Sequence, residues 1–83
     1  MKLKTILFTL TLVFGISSTS FADFNDGLIA YNSGDYTKAF QEWQALAEDG
    51  QVRAQYNVAW MYAYGVGTLK DFDASVAWYK IAA

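Results

Sequence analysis

The 83-residue chain contains no cysteine, no histidine and no proline. Without cysteine there is no disulfide to reinforce a small fold, no thiolate nucleophile and no site for a lipid-modified cysteine. Without histidine, zinc ligation of the usual kind and histidine-based catalytic triads are absent. Without proline, no position forces a helix to break. Basic residues are few and scattered, six Lys and Arg against eight Asp and Glu. Nucleic-acid affinity rests on clustered Lys and Arg that neutralise phosphates, so nucleic acid is excluded as a partner. The longest apolar run is shorter than the about 20 residues that a membrane-spanning helix needs.

What is present divides into two parts. Met1-Lys2-Leu3-Lys4 is a short basic start, Thr5 to Ile16 is dominated by Ile, Leu, Val and Phe, and Ser17 to Ala22 is small and polar, ending Ser20-Phe21-Ala22. These are the parts of a secretory signal peptide over residues 1–22, cleaved after Ala22. The expected product is periplasmic or secreted and meets the membrane only during export. It keeps four basic side chains (Lys38, Arg53, Lys70, Lys80) against all eight carboxylates, a net charge of −4.

Four helices fit the rest, making the fold class all-α. The first covers Phe24 to Asn32 and ends at Ser33-Gly34. Asp35 stands at an N-cap position, followed by Tyr36, Ala39, Phe40, Trp43, Leu46 and Ala47 along one helical stripe. Asp49-Gly50 stops this second helix, glycine suiting a left-handed C′ position. The third helix, Val52 to Tyr64, carries Ala54, Val58, Met61 and Tyr62 on one stripe. After the loop Gly65 to Lys70, Asp71 caps a fourth helix, and Phe72, Ser75, Val76, Tyr79 and Ala83 share the face expected to pack on the third.

The chain repeats itself. A shift of 36 residues pairs Asp35 with Asp71, Tyr36 with Phe72, Ala39 with Ser75, Phe40 with Val76, Trp43 with Tyr79 and Ala47 with Ala83. A shift of 31 pairs Tyr31 with Tyr62 and Gly34 with Gly65, the difference being five extra residues in the second loop. A period of this length marks a helical solenoid.

The second half resembles the Sel-one-like repeat (SLR) family, relatives of the tetratricopeptide repeat with a longer loop. The resemblance rests on Ala54, Val58-Ala59 and Tyr62 in the first helix of the hairpin, and on Gly65, Gly67, Thr68 and Asp71 in the loop. Ser75, Trp78-Tyr79 and Ala82-Ala83 carry it in the second helix. Val58, Ala59, Thr68 and Ser75 depart from the family pattern by small changes. The first hairpin looks like a shorter tetratricopeptide-type unit. The resemblance implies a short right-handed α-solenoid of two hairpins, residues 23–50 and 51–83. It also implies that the pattern runs on into a further repeat where this chain stops, as in a truncated array.

Candidate sites divide between packing and binding. Trp43, Tyr62 and Tyr79 read as core rings set against Ala39, Ala47, Ala54 and Ala82. Gly65-Val66-Gly67 lacks the Gly-Lys-Ser/Thr and the preceding strand of a phosphate loop, so it reads as a turn with glycines at positive φ. Asp71 and Asp73, or Glu48 and Asp49, point apart on a helix and make neither a catalytic nor a calcium pair. No catalytic residue, metal ligand or cofactor is expected. Tyr56, Trp60 and Tyr64 form a separate stripe on the third helix, flanked by Arg53 and Asn57. The resemblance implies that this helix lines a concave groove, and aromatic and Arg residues are common interface anchors; the other reading of the same stripe is that it packs on the preceding hairpin. Trp78 and Ile81 on the fourth helix are further candidates, on a face whose lack of polarity suggests self-association or docking on a partner.

The function expected is that of an exported protein–protein interaction module with a protein or peptide partner. The competing readings are a cell-envelope protein that binds or hydrolyses peptidoglycan or a small molecule, and a truncated relic without an independent role.

Overall fold

Each helix starts and stops where a local interaction satisfies its end. The computed structural model describes residues 23–83, so the expected signal peptide lies outside the described residues. Among the described residues there are four helices and no strand, α1 (Phe24–Asn32), α2 (Tyr36–Glu48), α3 (Val52–Tyr64) and α4 (Phe72–Ala82). Asp35 accepts the Lys38 backbone N–H at 3.1 Å and Asp71 accepts that of Ala74 at 3.0 Å. Both are the expected N-caps. At α1 the cap is reciprocal: Asp23 accepts the Asp26 N–H, and Asp26 accepts that of Asp23. This capping box was not foreseen from the sequence.

The helices pack in chain order, α1 on α2, α2 on α3 and α3 on α4, as consecutive antiparallel pairs of a helical repeat fold do. The core is built from Phe24, Ala30, Ala39, Phe40, Trp43, Leu46, Ala47, Ala54, Val58 and Met61. At its centre the Trp43 indole stacks on Phe24, with centroids 5.1 Å apart, and its Nε1–H donates to the Phe24 carbonyl at 3.1 Å. Gly27 permits this, because a Cβ there would overlap the indole. The hairpins are joined by Phe40 edge-on to Tyr62, at 5.2 Å, and by the buried Gln55, whose Nε2 donates to the Ala47 carbonyl at 3.1 Å.

The loop after α3 holds the same seam. Gly65 and Gly67 take φ of 68° and 74°, the positive values expected. Gly67 has a second reason to be glycine: a Cβ would collide with the Tyr36 carbonyl and press on Phe40. The loop closes where the Asp71 N–H donates to the Tyr62 carbonyl at 2.9 Å.

The face expected to pack α4 on α3 needs correction. Of Phe72, Ser75, Val76, Tyr79 and Ala83, only Ser75 is buried, while Phe72 is 63% and Val76 50% exposed. Tyr79 is also exposed and is not a core ring. The side turned inward is Ser75 with Trp78, which lies half-buried against the core. The reason is positional. In α2 the equivalent residue Phe40 is covered by Tyr62 of the next hairpin, and no described helix covers α4 in the same way. Tyr36, placed on the α2 stripe, is likewise exposed and leans on Tyr31 at 4.9 Å.

Candidate functional site

On α3, Ala54, Val58, Ala59 and Met61 face the core, which turns the remaining side of the helix outward. A helix repeats every 3.6 residues, so residues four apart share that side. Tyr56, Trp60 and Tyr64 therefore line up there, all exposed, Trp60 at 38% and Tyr64 at 68%. Trp60 and Tyr64 lie 5.6 Å apart between centroids. Trp60 is backed by Tyr31 of α1 at 6.4 Å, and Tyr31 rests on Trp43 at 6.0 Å. The outer rings are thus braced through Tyr31 on the central indole. Tyr56 lies 6.0 Å from Tyr79 of α4, so the aromatic row touches elements on both sides of α3.

Two residues of this row were not assigned to a site from sequence. Tyr31 had been noted only as the counterpart of Tyr62, and Tyr79 as core. For Tyr31 the spacing that pairs it with Tyr62 was the available signal, since it marks a ring near the seam between hairpins. Arg53, expected beside the row, has its guanidinium 3.8 Å from the centroid of the Phe24 ring, a cation–π contact that fixes its direction. Asn57 is half-buried. Trp78 and Ile81 belong to α4 and are not part of the row; Ile81 is exposed, whereas Trp78 is half-buried.

The row offers flat apolar faces, phenolic hydroxyls and an indole N–H, a combination suited to holding a side chain or an extended backbone. A second feature is a cleft of about 400 Å³ between α1 and α2, lined by Asp26, Ile29, Ala30, Ser33, Asp35, Lys38 and Glu42. Asp26 and Asp35 there are committed to helix caps. Among the described residues, no group of three or more carboxylates is placed to hold a metal ion.

Residues 52–83 match the family model described as Sel1 repeat. A stretch of 44 residues, 53% of this chain, is 43% identical to DAP3-binding cell death enhancer 1 of Rattus norvegicus. The protein of the same name from Mus musculus is 41% identical over the same length. The match spans 9% of the length of each of these relatives. No solved structure matches the chain significantly.

Proposed function

Because residues 52–83 form a Sel1 repeat, a repeat type that generally mediates protein–protein contacts, we propose that this chain is an exported interaction module. Its two hairpins, residues 23–50 and 51–83, form a short right-handed α-solenoid. It binds a protein or peptide through the aromatic side of α3. The observation that carries this reading is the exposed row Tyr56, Trp60 and Tyr64, braced from behind by Tyr31. Rigid aromatic side chains bury much area while losing little conformational freedom, which is why they dominate interface energetics. The relatives in rat and mouse carry a name that describes binding of another protein, in keeping with this role. Residues 1–22 direct export and are removed, leaving Asp23 as the first residue.

A photo-crosslinking side chain placed at Tyr64, with Lys38 on α2 as the comparison site, tests the binding surface in the producing cell. A discrete protein adduct from position 64, missing from position 38 and lost on Trp60→Ala, is expected. Equal labelling from both positions, or an adduct indifferent to Trp60→Ala, would overturn the assignment. Mass spectrometry of the same material tests export, since a soluble cytoplasmic product that retains Met1 is incompatible with it.

A further inference from the structure

Four aromatic rings gather at one end of the helix bundle. Alternate helices of an up-and-down fold run parallel, so α1 and α3 both end there and α2 and α4 both begin there. Tyr31 lies in the last turn of α1, Tyr36 opens α2, and Trp60 and Tyr64 close α3. Their centroids follow one another, Tyr36 to Tyr31 at 4.9 Å, Tyr31 to Trp60 at 6.4 Å and Trp60 to Tyr64 at 5.6 Å. Successive planes are turned by 61°, 55° and 47°, so no pair is a parallel stack. Tyr36, Trp60 and Tyr64 are all exposed, and their faces are open to a ligand.

The charge around these rings is negative. Residues 23–83 hold eight carboxylates against Lys38, Arg53, Lys70 and Lys80. Neither α1 nor α3 has a basic residue in its last turn, so the partial negative charge at each C-terminus is not offset from within its own helix. The positive ends of α2 and α4 are met by the capping carboxylates of Asp35 and Asp71. Asp73 adds another carboxylate in the first turn of α4. The chain's own cations are turned elsewhere. Lys70, beside Gly65, directs its ammonium to the Phe72 ring at 5.0 Å, and Lys38 lines the cleft between α1 and α2. Arg53 and Lys80 belong to the opposite end of the bundle, in the first turn of α3 and the last turn of α4.

We propose that this ring cluster seats a basic side chain of the partner, an arginine in preference to a lysine. The inference rests on the interaction reading above and names the chemistry of the polypeptide that it takes. The face of an aromatic ring is electronegative and attracts a cation. The protein shows the geometry itself, where the Arg53 guanidinium lies 3.8 Å from the centroid of Phe24. A planar guanidinium stacks on such faces and sheds water more readily than an ammonium, and the phenolic oxygens of Tyr31, Tyr36 and Tyr64 can accept its N–H groups. A carboxylate in the same place would meet the ring faces and two helix C-termini with the wrong sign.

The test titrates the protein with three short synthetic peptides of one Gly/Ser framework, carrying two arginines, two citrullines or two glutamates. Citrulline keeps the shape of arginine and removes its charge. The readout is the indole N–H nuclear magnetic resonance signal of Trp60, identified by its loss in Trp60→Phe. The arginine peptide should shift this signal saturably and bind about tenfold more tightly than the citrulline peptide, the equivalent of some 1.4 kcal/mol. Its binding should weaken as salt is raised. Tyr64→Leu, at an exposed position, keeps apolar area but removes a ring face, and should erase most of the difference between the two peptides. Far-UV circular dichroism confirms that the variant keeps its helices. No shift with the arginine peptide, equal affinity for arginine and citrulline, preference for glutamate, or a difference that survives Tyr64→Leu would each overturn the proposal. Crosslinking from position 64 reads the interaction role separately. A protein adduct there beside failure of the arginine peptide strikes only the basic side chain, whereas the lack of any adduct strikes the reading on which it rests.

Discussion

Replacing Gly27 by alanine should destabilise this protein, against the usual direction of that substitution. In a helix interior, glycine to alanine ordinarily adds about 0.5–1 kcal/mol of stability because glycine loses more backbone freedom on folding. Gly27 lies in mid-α1, where the Trp43 indole rests on the helix backbone, and the new Cβ would overlap Nε1, Cδ1 and Cε2 of that ring. Trp43 is only 3% exposed, so the ring has no free direction in which to retreat. Forcing it aside breaks the hydrogen bond to the Phe24 carbonyl, at about 1–3 kcal/mol for a buried group left unpaired. It also loosens the Phe24–Trp43 stack, worth about 0.5–1.5 kcal/mol. Set against the backbone gain, the net loss is about 0.5–4 kcal/mol, in line with overpacked cores and orphaned polar groups. A domain of this size holds only roughly 3–9 kcal/mol in total. Urea melts followed by circular dichroism and tryptophan fluorescence measure the change. Gly50→Ala is the comparison, because no atom lies within 4 Å of its added Cβ and only its φ of 98° is strained; it should cost about 1–2 kcal/mol. Adding Trp43→Phe to Gly27→Ala should show strong coupling, since the smaller ring frees the space the methyl needs. A Gly27→Ala variant as stable as the parent would refute the close-packing argument.

Trp43→Ala should cost on the order of 3–5 kcal/mol and abolish most of the helical signal; a loss below about 1 kcal/mol would show that the indole is not central to the core. Gly67→Ala meets both a positive φ and the Tyr36 carbonyl, so it should cost more than Gly50→Ala in the same melts. Equal losses would mean that the loop does not press on α2. Asp71→Ala removes the cap on the Ala74 N–H and should lower stability by about 1 kcal/mol, with Asp71→Asn largely neutral.

The helix boundaries were legible because they depend on local chemistry. Asp35 and Asp71 each satisfy an N–H three residues on, and such i, i+3 relations are visible in a linear chain. The aromatic stripe of α3 was legible for a similar reason, since four-residue spacing alone puts Tyr56, Trp60 and Tyr64 on one side. Gly27 was not, because its role is set by an indole 16 positions away that approaches from another helix. Gln55 shows the same limit. As a polar residue near a helix start it reads as solvent-facing, yet its amide is buried on the Ala47 carbonyl, a partner that exists only once α2 and α3 have docked.

The misread face of α4 has a different origin. Its stripe of Phe72, Val76 and Tyr79 repeats the α2 stripe of Tyr36, Phe40 and Trp43 almost residue for residue, and periodicity treats the two alike. The surroundings do not. Phe40 is covered by Tyr62, and Trp43 is enclosed by Phe24 and Tyr31, so both are buried. Val76 and Tyr79 occupy the same repeat positions but are not enclosed in this way, Tyr79 having Tyr56 beside it at 6.0 Å, and both stay exposed. A hydrophobic stripe states what a helix is able to bury; whether it is buried depends on a second surface. In a repeat fold that surface comes from a neighbouring unit, and among the described residues no helix supplies it to the outer side of α4. The exposure of Phe72, Val76 and Tyr79 therefore follows from the lack of a covering helix among the described residues and not from a weaker hydrophobic pattern in α4 itself.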